Sequence, residues 1–235
     1  METSQTLQLV NLIGLSKINR SKLQKQLDST PYNDFEGYGF REVSGGIKYI
    51  NATLVKKTPT FILQFEPETE KMIDREIFLF STIDFKLDFY FDLLEVTGSS
   101  KNIQKIMSAI YPFIQNHIKT EPFNRPLFNV VSALSPKTSM RVERLVINNF
   151  LHKEGVIGRY DMQIENPKEA LQILKLYKSD VVKINFSLRD PLFGEGKITI
   201  TNAGSVTIKG EEEELPEIWI FLKTKLFERT EKENG

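Results

Sequence analysis

Hydrophobic and polar positions change period several times along the chain, most clearly between Val181 and Phe227. VVKINFSL, KITIT and SVTIKG each alternate apolar with polar residues, with a Gly-containing turn and then Asn202–Gly204 between them. The segment EEEELPEIWIFLKTKLF then switches to helical spacing. This pattern predicts three short strands followed by an amphipathic helix.

Upstream, residues 4–28 show helical spacing at Leu12, Leu15, Ile18, Leu23 and Leu27, with Ser16 or Ser21 as the candidate cap of a short helix. PYNDFEGYGFREVSGG follows as an aromatic, Gly-rich loop. Its Tyr32, Phe35, Tyr38 and Phe40 suit either stacking on nucleobases or plugging the loop onto a core. IKYINATLV, TFILQF after Pro59, and REIFLFSTIDFKLDFYFDLLEV read as strands, the last long enough to need a bend or turn near Ser81–Asp84. In that stretch Phe85, Leu87, Phe89 and Phe91 alternate with Lys86, Asp88, Tyr90 and Asp92. After Gly98 the period becomes helical. Ile103, Ile106, Met107, Ile110 and Ile114 form one stripe, Ser99 or Ser100 is the cap, and Pro112 is placed to kink or shorten the helix.

Pro122, Pro126 and Pro136 mark residues 121–140 as a linker between an α+β half at 1–120, which includes the N-terminal helix, and a second half at 141–235. Leu127–Leu134 is apolar enough to be a packed strand instead. RVERLVINNFL and RYDMQIE read as strands, and NPKEALQILKLYK as a helix capped by Asn166, with Pro167 in its first turn.

Placing Gly98 on Gly210 aligns Leu94, Val96, Ile103, Ile106, Met107, Ile110 and Ile114 with Val206, Ile208, Leu215, Ile218, Trp219, Leu222 and Leu226. This predicts a repeated α+β unit. LEVTGSSKNIQKIMSAI resembles the strand–Thr–Gly–helix junction in each repeat of the TATA-box-binding-protein family. VTIKGEEEELPEIWIFL is similar but lacks the Thr–Gly pair. The resemblance implies a helix-grip architecture of two related halves, each an antiparallel sheet backed by helices. It extends over short junctions and element order. The family's DNA-kinking phenylalanines have no assigned counterparts here, so TATA recognition is not carried over.

Composition narrows the chemistry. The 235 residues include no cysteine, which excludes disulfides and thiolate chemistry. Neither a signal peptide nor a long apolar run is present, so the chain reads as a soluble, cytoplasmic protein without a membrane partner. The 31 cations and 31 carboxylates balance, but unevenly along the chain. Residues 101–189 carry fourteen cations against seven carboxylates, and residues 31–100 carry seven against twelve. An asymmetry of this kind either marks a binding surface or is neutralised within the fold.

With His117 and His152 as the sole histidines, no zinc spacing exists, and no phosphate-loop or nucleophile-elbow motif occurs. No catalytic residue, metal site or cofactor is therefore expected. Asp84, Asp88 and Asp92 lie too far apart along one strand to share an ion unaided, about 13 Å between neighbours. Glu211–Glu214 suits the positive end of the following helix.

The binding reading rests on alternation in the last three strands. One side there presents Lys183, Asn185, Ser187, Arg189, Thr199, Thr201, Thr207 and Lys209, with no carboxylate among them. Arg141, Arg144, Lys153 and Arg159 could extend it into a positive patch suited to phosphates and base edges. The expected function is non-enzymatic nucleic-acid binding, to duplex DNA. The alternative is a protein-interaction adaptor or regulatory subunit, or self-association, using an acidic and a basic half.

Overall fold

Pairing of alternating segments, rather than the N-terminal helical spacing, governs the start of the chain. The computed structural model describes residues 2–114, 118–123, 126–134, 139–153, 155–190 and 194–227. They form an α+β protein in two compact units, one of Met1–Val10 with Glu121–Gly235 and the other of Asn11–Thr120. The strands form a large antiparallel sheet backed by helices. Among the described residues, no helix is long and apolar enough to cross a membrane.

The first strand, β1 (Glu2–Ile13), covers a segment whose spacing predicts partial helix. Thr6, Gln8, Leu7 and Leu9 alternate there, and the strand period prevails. Helix α1 (Arg20–Asp28) is capped by Asn19, whose Oδ1 accepts the Lys22 N–H at 3.0 Å, and not by Ser16 or Ser21.

In the unit Asn11–Thr120, the sheet order is β2 (Tyr38–Gly45), β3 (Tyr49–Glu66), β4 (Lys71–Asp88), β5 (Leu93–Thr97). The two strands expected on either side of Pro59 are one, because β3 stays paired with β4 through Pro59 opposite Phe78. No turn forms near Ser81–Asp84, since β4 keeps its pairing with β3 to Asp88. The reversal follows it, where Asp88 Oδ1 accepts the N–H groups of Tyr90 and Phe91. Phe85 and Leu87 are buried as their spacing predicts, whereas Phe89 and Phe91 belong to that turn. Of the loop aromatics, Phe40 is core, meeting Phe85 and Phe113 edge-on, and Phe35 is 95% exposed. Helix α2 (Ser100–Ile114) contains Pro112 in its last turn and buries Ile106, Ala109, Ile110 and Ile114.

Strand β6 (Lys119–Pro122) precedes helix α3 (Leu127–Leu134), which belongs to the other unit. The packed strand that the apolar run Leu127–Leu134 suggests does not form. The run is helical, and Leu127, Val130, Val131 and Leu134 are buried at 3.6-residue spacing. The sheet order here is β1, β11 (Ser205–Glu211), β10 (Gly194–Thr201), β9 (Val181–Asp190), β7 (Ser139–Lys153), β8 (Val156–Gln163). Helix α5 (Leu215–Phe227) follows β11, so the three-strands-then-helix pattern is realised in full.

The apolar side of this sheet holds Ile184, Phe186, Leu188, Ile198, Ile200, Val206 and Ile208, all buried. Helices α3 and α5, with α4 (Pro167–Leu176), pack on this unit's strands. At Gly196 the approach is close enough that a Cβ would stand 2.9 Å from Ile218 Cδ1, so α5 lies directly on the sheet. Gly204, at φ +85°, turns the chain between β10 and β11, where a Cβ would meet the Leu9 carbonyl at 2.7 Å. The two glycines aligned in the repeat do different work. Gly98 is left-handed, at φ +92°, and Gly210 lies within β11.

Helix α4 begins as its sequence predicts. Asn166 Oδ1 accepts the Lys168 N–H at 3.0 Å and Pro167 occupies the first turn. Replacing Asn166 with Ala orphans that donor and should cost about 1 kcal/mol in urea denaturation.

Candidate nucleic-acid interface

The side of the sheet away from the buried residues is polar, and its strand register sorts the residues into rows. One row crosses five strands as Ser4, Lys209, Lys197, Ser187 and Arg141. The next reads Thr6, Thr207, Thr199, Asn185, Arg144 and Gln163 over six strands. Lys183 stands opposite Thr201, and Arg189 opposite both Glu195 and Ser139. Side-chain hydrogen bonds stitch the β1 end: Thr6 Oγ1 and Thr207 Oγ1 are 3.0 Å apart, and Gln8 Nε2 donates to Ser205 Oγ at 3.1 Å. Lys197, Lys209, Arg141 and Arg189 are exposed, while Lys183, Asn185, Thr199 and Thr201 are half-buried.

Arg141 and Arg144 are three residues apart, a spacing that puts them on opposite faces of a regular strand. A β-bulge resolves this. The register shifts between Val142 and Arg144, leaving Glu143 as the extra residue. Arg141 then faces Ser187 and Arg144 faces Asn185 on the same side.

Carboxylates do occur on this face, at its margins and at the bulge, where Glu143 lines a groove with Arg144 and Asn185. Glu2 and Glu211 stand opposite each other, Glu195 faces Arg189, and Asp161 lies on β8. The expectation of a face without carboxylates therefore holds for its central rows only. Arg144 is not a free donor. Its Nε and Nη2 both donate to Asp161, each at 2.6 Å. These hydrogen bonds hold the Asp161 carboxyl below the usual carboxylate range, against partial desolvation and with help from the charges of Arg144, Lys183 and Arg159. Three cations thus act on one carboxylate beside a groove of about 680 Å³ lined by Glu143, Arg144, Asp161, Gln163 and Asn185. The Oδ1 of Asn185 is buried in this setting without a hydrogen-bond partner.

Because Asp161 titrates lower in the folded chain, its ion pair stabilises the fold above the ordinary Asp pKa. That contribution disappears as pH falls through the depressed value. Arg144→Ala should move the Asp161 titration upward, read by carboxyl-carbon NMR against pH. An unchanged midpoint would mean that Arg144 does not set it.

Of the residues singled out from sequence, Lys183, Asn185, Thr199, Thr201, Lys209, Arg141 and Arg144 share this face. Arg189 joins them beside Glu195 at one margin, and Arg159 is exposed on β8 near Asp161. The Lys153 side chain and His117 lie outside the described residues. Lys197 was missed, although it shares the parity of Thr199 and Thr201.

The Asp84, Asp88 and Asp92 series separates into three local roles. Asp84 accepts from Thr53 Oγ1 at 2.7 Å, Asp88 caps the turn after β4, and Asp92 accepts the Ser16 N–H at 2.6 Å. Compared with protein-family models and with curated proteins, the chain matches none.

Proposed function

We propose that the chain binds nucleic acid without catalysis, as a duplex-DNA-binding protein, through the polar face of β1, β11, β10, β9 and β7. The observation that carries this reading is the opposition of Lys197 to Lys209 across neighbouring strands. Like charges placed directly opposite destabilise a sheet, and an anion lying over the row relieves that repulsion. From Lys209 to Arg141 the row spans three strand spacings, about 14 Å, the length of about four base pairs of duplex. Ser, Thr and Asn side chains flank it as further phosphate donors.

Duplex is favoured over single strand because the central rows carry no aromatic platform on which bases could stack. The same reading takes the fold as two related halves of the TATA-box-binding-protein type. Its support is that each unit has a strand–helix pair late in its sequence, β5 with α2 and β11 with α5.

The test is fluorescence anisotropy with labelled duplex and single-stranded DNA at two salt concentrations. Duplex affinity should fall steeply as salt rises. Absence of binding at low salt would overturn the reading and favour a protein partner.

A further inference from the structure

Strands β3 and β4 remain paired from Tyr49 opposite Asp88 to Glu66 opposite Lys71. Pairing of β2 with β3 reaches Lys56, and pairing of β5 with β4 reaches Phe85. Beyond those points, among the described residues, no third strand flanks them. Ten residues of each strand, 57–66 and 71–80, therefore form a two-stranded ribbon about 33 Å long, touched at its root by Tyr32, Asp34 and Gly37.

Residues opposite each other share a side. One side of the ribbon carries Phe61, Leu63, Phe65, Met72, Phe78 and Phe80, with Lys57, Pro59, Asp74 and Glu76 among them. Exposures of the first six run from 48% to 68%. Scaled by ordinary side-chain areas, that is roughly 700 Å² of apolar surface, more than the largest patch on a typical monomer. A bare two-stranded ribbon is at best marginally stable in water. The other side is mixed, with Thr58, Thr60, Gln64, Glu66, Lys71 and Arg75 among Ile62, Ile73, Ile77 and Leu79. On it Arg75 Nη1 donates to Gln64 Oε1 at 2.9 Å.

We infer that the Phe61–Phe80 side of this ribbon is a self-association surface that joins two copies of the chain, ribbon against ribbon. Two such patches together bury about 1,400 Å², within the range of stable pairs. Between Glu66 and Glu76 five carboxylates stand against two cations, a balance that repels nucleic acid and anionic lipid and leaves a protein surface as the occupant.

Sedimentation velocity on the full chain, at micromolar concentrations in low and high salt, tests this. The chain should be a dimer in both. Phe61→Thr with Phe65→Thr should raise the dimer dissociation constant roughly a hundredfold or more. Ile62→Thr with Ile73→Thr, on the opposite side, should leave it within about threefold of the parent. All four positions are exposed, and circular dichroism checks that both variants fold. A monomeric parent chain, a dimer that salt dissolves, or equal weakening by the two variants would overturn the assignment.

Discussion

Lys197→Glu combined with Lys209→Glu should lower duplex-DNA affinity roughly a hundredfold or more. The plot of log affinity against log salt should flatten by about two units of slope, one for each phosphate that no longer meets a lysine. The two lysines stand directly opposite each other on β10 and β11, so the double reversal replaces one like-charge pair by another and leaves fold stability nearly unchanged. Lys209→Glu alone behaves differently. It turns the opposed pair into an attractive one, so stability should rise by up to about 1 kcal/mol while binding weakens. Opposite signs in stability and affinity mark a position held for its ligand rather than for the fold. If the double reversal bound duplex as the parent does, the central rows would not be the binding surface.

Phe186→Ala should be among the most damaging core substitutions in the same unit, at about 3–5 kcal/mol. Phe186 is 1% exposed on the apolar side of β9, with Val142 opposite on β7 and Ile198 opposite on β10. Removing the ring leaves a void where three strands meet beneath the helices, and neighbours fixed by backbone pairing cannot close it. Urea denaturation followed by circular dichroism should show an early transition for this unit. A loss below about 1 kcal/mol would mean that the site collapses, contrary to the packing described.

How much of this was legible in the sequence depended on whether local pattern or pairing decided the outcome. The unit from Val181 to Phe227 was readable because alternation, turn residues and a period change all agree there. Helix α4 was readable from Asn166 and Pro167. Leu127–Leu134 carried its helical spacing in plain view, but an apolar run among three prolines suggested a packed strand. Strand β1 was obscured because Val10 and Leu12 continue the apolar positions past the clean alternation of Thr6–Leu9.

The candidate face was legible in its composition and not in its layout. Strand parity placed Lys183, Asn185, Thr199, Thr201 and Lys209 together, and pairing register bears this out. Two features depended on partners that no local window contains. One is the bulge at Glu143, which brings Arg141 and Arg144 to one side. The other is Asp161, which arrives from β8 to occupy Arg144. The ribbon was hidden for the same reason. Pro59 read as a break, yet the strand continues through it opposite Phe78.

Lysine footprinting with and without duplex DNA tests the central claim most directly. Acetylation of Lys183, Lys197 and Lys209 should fall together when duplex is added, while Lys22 and Lys101, in the unit Asn11–Thr120, keep their reactivity. Unchanged modification of the three sheet lysines, or protection confined to Lys22 and Lys101, would contradict nucleic-acid binding on this face.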